Sequence, residues 1–188
     1  MKLIHGMLTL AIVILLSTVA FAADEPTQAQ EMPPMGPPPE IQEQAFMIGT
    51  WTFDGEMRMA PDAEWEKYGG EVVFSYVAGG AAIQMEWTSA GMMGMTHHGL
   101  SITAYDREMK QWQETWVDNM GGRISMYTGN YVDGKRIMSG IDMMNGQEIW
   151  TRNTSYDITE SSYKWIMENS MDGQNWFESM RGTYTKAK

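Results

Sequence analysis

From Gly49 almost to the C-terminus the chain repeats one rhythm: short runs of alternating apolar and polar residues, separated by glycine-containing turns. Trp51, Phe53, Met57 and Met59 fall on one face of the first run, and Thr52, Asp54, Glu56 and Arg58 on the other. A period of two marks a β-strand with one dry and one wet face. Strands of this kind, joined one after another by tight turns, make an antiparallel sheet. Such a sheet has to close or stack to hide its dry side.

The turns punctuate the strands. Gly69-Gly70, Gly79-Gly80, Gly121-Gly122, Asp133-Gly134, Asn145-Gly146 and Asp172-Gly173 all supply positive φ at little cost. Between them the pattern predicts strands near 50–59, 71–78, 81–88, 95–105, 111–118, 123–132, 135–142, 147–157, 162–169 and 175–185. No long helical pattern interrupts them. Roughly ten strands in meander order predict an all-β, antiparallel up-and-down barrel. A flat sandwich is the runner-up, because closure alone removes both sheet edges. Glu40 to Ile48, with Ile41, Ala45 and Ile48 at helical spacing, predicts a short helix before the first strand.

The N-terminal region reads differently. Lys2, the apolar run Met7 to Val19 and the small-x-small triplet Ala20-Phe21-Ala22 predict a secretory signal peptide over 1–22. The run is too short for a membrane span of about 20 residues, so no membrane anchor is expected after cleavage. Residues 23–39 are proline-rich and read as a flexible linker, which leaves 40–188 as the barrel domain. The chain has no cysteine, hence no disulfide and no thiol-linked lipid. Export without cysteine points to a bacterial periplasm. A formal net charge of −11 argues against nucleic acid and anionic membrane surfaces as partners. Nothing in the sequence fixes an oligomeric state.

Gly49-Thr50-Trp51 behind a short helix resembles the G-x-W opening of lipocalin-like (calycin) barrels. In those barrels an arginine from the last strand packs across the tryptophan. The resemblance therefore implies that Arg181 covers Trp51 and closes one end. Gly91-Met92-Met93-Gly94, the run His98 to Asp106 (HGLSITAYD) and the run Trp116 to Gly121 (WVDNMG) are similar to domain of unknown function 1579. That bacterial family is placed among the calycins. The resemblance spans roughly residues 40–187 and implies a fold, without a settled activity. Ala104 stands where the family's G-Y-D motif has glycine, and His97-His98 where a Pro/Phe-Glu-like pair is commoner.

The inward faces are expected to carry Phe53, Met57, Met85, Trp87, Trp116 and Met126 around a lumen that takes a small, mostly apolar ligand. Glu114 lies between Trp112 and Trp116, Asp118 follows two residues on, and Arg152 interrupts an apolar-alternating strand. Buried charges have to pair, so Arg152 or His97 is expected to meet the polar head of a ligand or to join an internal ion pair. An enzyme reading places an isomerase or proton-transfer reaction in the same lumen, with His97, Arg152 or Glu114. A third reading is copper handling through Met93, Met95 and His97, since thioether and imidazole suit that metal. On a strand those three donors span about 13 Å, and methionine is a common gap-filler, so core or pocket wall is the preferred role. No cysteine nucleophile, G-x-S-x-G elbow or phosphate-cradling loop is present. No catalytic residue, metal ligand or cofactor is assigned.

Overall fold

The computed structural model describes residues 34–90 and 95–188. The expected signal peptide, residues 23–33 of the linker, and Met93 of the copper reading lie outside the described residues. Among the described residues no helix is long and apolar enough to cross a membrane.

Ten strands follow a 3₁₀ helix at Pro39–Met47: β1 Gly49–Met57, β2 Glu66–Val77, β3 Ala82–Ser89, β4 His97–Asp106, β5 Gln111–Asp118, β6 Ser125–Val132, β7 Lys135–Met144, β8 Gln147–Tyr156, β9 Ser162–Ser170 and β10 Phe177–Lys186. Each pairs antiparallel with its neighbours in sequence, and β1 pairs with β10 to close a barrel. Connections therefore alternate between the two ends. The 3₁₀ helix covers the end where β1 begins and β10 finishes. The connections β1–β2, β3–β4, β5–β6, β7–β8 and β9–β10 surround the other end.

The expected meander and closure are both present. Asp133-Gly134, Asn145-Gly146 and Asp172-Gly173 turn as their composition demands, with Gly134, Gly146 and Gly173 at positive φ. Gly69-Gly70 does not turn. It lies inside β2, opposite Asp54 and Phe53. A Cβ on Gly70 would come within 2.5 Å of the Thr88 carbonyl oxygen and 2.8 Å of the Trp87 ring. Glycine here admits close packing rather than a reversal. Pro38 is buried, and Arg107 Nη2 donates to the Gly36 carbonyl at 2.9 Å, so residues 36–39 are tied to the barrel.

One irregularity redirects a strand. The β9–β10 register shifts between Glu178 and Met180. The extra residue, Ser179, is buried; its hydroxyl accepts from Asn169 Nδ2 at 2.8 Å and donates to the Met167 carbonyl at 3.2 Å. Such a bulge changes which side chains face inward beyond it. Met180, Gly182, Tyr184 and Lys186 are thereby opposite Met57, Gly55, Phe53 and Trp51.

Arg181 consequently points outward, and the expected Trp51–Arg181 closure is corrected. Arg181 is opposite Glu56, forms an ion pair with it at 2.6 Å and lies 4.2 Å from the Trp65 ring centroid. Trp51 is fully buried and donates from Nε1 to the Met47 carbonyl at 2.6 Å. Its cation is Lys186, whose Nζ sits 5.5 Å from the Trp51 ring and donates to the Phe46 carbonyl at 2.8 Å. Lys186, not Arg181, ties the last strand to the helix that covers this end.

Candidate functional site

The inner faces enclose a cavity of about 520 Å³. One side is aromatic and aliphatic. Trp51, Phe53, Val72, Phe74, Ile83, Trp87, Tyr163 and Tyr184 form one cluster carried by β1, β2, β3, β9 and β10. Phe53 is its hub, 4.7 Å from Tyr184 and 5.8 Å from Trp87 between ring centroids. The other side, β4 to β8, turns Ser101, Thr103, Glu114, Asp118, Tyr127, Arg136, Asp142, Asn153 and Ser155 to the cavity.

These polar groups form three sets. Near the open end, Tyr68 Oη lies 2.7 Å from His97 Nδ1. The other ring nitrogen, Nε2, approaches Asp118 Oδ2 at 3.3 Å, a contact rather than an aligned hydrogen bond. Burial by itself would raise the Asp118 carboxyl. Hydrogen bonds from the Gly121 N–H, the Trp116 indole and the Met120 N–H, with the nearby His97 ring, outweigh it and hold the group below the usual carboxylate range. Burial pushes the Tyr68 phenol up to about 12. Trp116 can lie over β4 only because residue 99 is glycine: a Cβ there would be 2.1 Å from its ring.

Deeper in the barrel, Arg136 Nη2 donates to Glu114 Oε2 at 2.6 Å, and Thr103 donates to the same oxygen at 3.3 Å. On the flank, Asp142 Oδ2 accepts from Tyr127 Oη at 2.6 Å and from Thr151 Oγ1 at 3.0 Å. Burial, then the neighbouring Asp142 charge, pushes the Tyr127 phenol far above its ordinary range.

The sequence-derived candidates divide accordingly. Phe53, Met85, Trp87, His97, Trp116 and Glu114 line the cavity, as does Asp118. Met57 is buried on the inner face without lining it. Met126 is 57% exposed and outside, because Ser125 and Tyr127 are the inward residues of β6. Arg152 is outside as well, paired with Glu168 at 2.8 Å and 4.3 Å from the Trp176 ring. Ser155, Asn153, Thr151 and Ile149 are the inward residues of β8, so the residue that seemed to interrupt an apolar face belongs to the wet one. The lumen's arginine is Arg136. Of the copper trio, Met95 is exposed at the open end while His97 is turned into the lumen. Among the described residues no group of three or more His, Cys, Asp or Glu is placed to hold a metal ion.

Tyr68, Arg136, Asp142, Asn153 and Gln44 escaped the sequence reading. Arg136 and Asp142 share their parity on β7 with the apolar Met138, which is the one signal that could have found them. The mouth has its own composition: exposed Met59, Met95, Met120, Met143 and Met171 stand in or beside the five connections at the open end.

Residues 39–186 match the model of a family described as protein of unknown function (DUF1579), and the chain belongs to that family. The fold is similar to the crystal structure of Rv2717c from M. tuberculosis, with a TM-score of 0.57 and 14% identity over 81% of this chain and 100% of that one. At that identity the likeness concerns the fold alone. No curated protein matches the chain.

Proposed function

We propose that this barrel binds a small, mostly apolar ligand in its lumen. The observation that carries the reading is the 520 Å³ cavity walled by Phe53, Trp87, Trp116 and Trp165 and edged by methionines. Ligand sites commonly enclose about 300–1,000 Å³, mostly apolar with a few placed polar groups. Flexible thioether side chains at the mouth adapt to varied apolar shapes. The test is titration with an apolar fluorophore, read by tryptophan emission. Affinity near micromolar, about −8 kcal/mol, is expected. Trp87→Ala should weaken it more than Trp176→Ala, whose ring lies on the outer face beneath Arg152. A wild-type protein that takes up no apolar compound would end the reading. We also propose export to a periplasm after cleavage behind Ala22; N-terminal sequencing of the abundant species checks this, with Ala23 expected and Met1 counting against it.

A second reading, proton-transfer catalysis, draws on the Tyr68–His97–Asp118 chain, where a phenol, an imidazole and a held carboxylate adjoin at the cavity wall. Its check is chemical: a ligand recovered altered from wild-type protein but unaltered from His97→Gln supports it, and recovery unchanged from both sinks it.

A further inference from the structure

The closed end of the lumen contains polar atoms that the protein does not satisfy. Arg136 uses Nη2 on Glu114, while its Nε has no hydrogen-bond partner among the described residues. The same holds for Gln44 Nε2 and Asn153 Oδ1. These residues are 8%, 1% and 8% exposed, and all three line the cavity.

The fold brings them to one place. Asn153 is opposite Met138 across β7–β8, and Arg136 is the next inward residue on β7, towards the closed end. Ile41 packs in one cluster with Met138. Gln44 follows Ile41 by three residues on the 3₁₀ helix, where positions i and i+3 share a face. The floor of the cavity thus offers two donors and one acceptor.

An alkyl terminus placed there would leave all three atoms stranded, which is the costly case for buried polar groups. A head group with its own donor and acceptor would satisfy them. Charge narrows the choice. Arg136 is already matched by Glu114, and Asp118 and Asp142 also line the lumen. Arg123, the other arginine among the described lining residues, is exposed at the mouth. A carboxylate head would bring another negative charge to a buried site with no free counter-charge. An ammonium head would meet Arg136 and the amide N–H of Gln44.

Resting on the reading that the lumen holds an apolar ligand, we propose that its floor receives an uncharged head that both donates and accepts hydrogen bonds, a primary alcohol or primary amide, with the apolar body directed towards the methionine-edged mouth. Sites built around buried hydrogen-bonding groups reject analogues that lack the matching group.

The experiment displaces a bound apolar fluorophore from the full chain with four ten-carbon compounds: decan-1-ol, decanamide, decanoate and decylammonium, at neutral pH. The alcohol and the amide should compete at least tenfold better than either ion. Gln44→Met and Asn153→Leu, each replacing an amide by an apolar side chain of similar size, should shrink that advantage at least threefold, with competition in each variant expressed relative to the fluorophore affinity measured for that variant. The four-compound series on wild-type protein needs no variant, so a poorly folding substitution does not blunt it. Equal competition by all four means that the head lies in water at the mouth, or that water alone occupies the floor, and overturns the inference while the binding function stands. Decanoate or decylammonium binding tightest also overturns it. A fluorophore that never binds overturns the binding function and this inference together.

Discussion

The two sides of the lumen hold themselves together by different means. On β1, β2, β3, β9 and β10 the contacts are ring on ring: Tyr163 stacks on Tyr184 at 4.5 Å and Tyr68 on Trp87 at 5.4 Å. Burial does the stabilising there, at roughly 25 cal/mol per Å². On β4 to β8 the contacts are directed: Arg136 to Glu114, and Tyr127 and Thr151 to Asp142. Such a network stabilises only while every member has its partner. The aromatic side should therefore lose stability in proportion to what is removed, and the polar side according to what is left unpaired.

That contrast can be broken or sharpened experimentally. The largest loss is expected from Trp51→Ala, which empties a fully buried site and removes the bond to Met47. Urea denaturation should show about 3–5 kcal/mol. On the polar side Glu114→Ala should cost about 3 kcal/mol, because it strands the buried Arg136 guanidinium. The double variant Glu114→Met, Arg136→Met should recover most of that loss. Recovery would show that the pair serves the site rather than stability, and a double variant as weak as the single one would erase the contrast.

Alkaline pH gives the next effect. Burial raises the phenols of Tyr68, Tyr163 and Tyr184. In the unfolded chain tyrosine ionises near pH 10. Above that pH the folded state binds more protons than the unfolded one, so stability falls as pH rises. It is fully present below about pH 10, and for Tyr68 the loss runs up to about 12. Each fully buried phenol contributes about 1.4 kcal/mol per pH unit within its window. Tyr184→Phe should flatten the slope measured by denaturation at stepped pH, and an unchanged slope would contradict the assignment. Smaller still, Lys186→Ala should cost about 1 kcal/mol by losing the Phe46 carbonyl and the Trp51 ring. Arg181→Ala, on the outer surface, should cost about 0.5 kcal/mol at low salt and less at high salt. Arg181→Ala exceeding Lys186→Ala in thermal denaturation would reverse their roles.

On the aromatic side β3 was legible because it obeys strict alternation: Ile83, Met85 and Trp87 against Gln84, Glu86 and Thr88 all face as the period predicts. The polar side resisted for the same physical reason that makes it interesting. Where Thr151, Asn153 and Ser155 face inward, the apolar Trp150 falls on the outer face, and parity read from hydrophobicity inverts; Arg152 was misplaced that way. Met126 failed because an exposed thioether looks like core in sequence. Arg181 failed because a bulge at Ser179 leaves no mark in composition, yet shifts every later side chain of β10. Gln44 is buried on the same helix face as Ile41, three residues on, but a polar amide leaves no mark in a hydrophobic periodicity.

The seam between β1 and β10 sets a condition on how the molecule forms. Nine of the ten strand pairings join neighbours in sequence and can assemble as local hairpins. The tenth does not: the Lys186–Phe46 bond that accompanies it spans 140 residues. Closing so long a loop costs entropy before any contact rewards it, and folds rich in such distant pairings fold slowly. Until β10 is made, Trp51 lacks Lys186 and Phe53 lacks Tyr184, so the aromatic side is the last to be finished. A chain truncated before Phe177 would lack β10 and with it the pairing that closes the barrel.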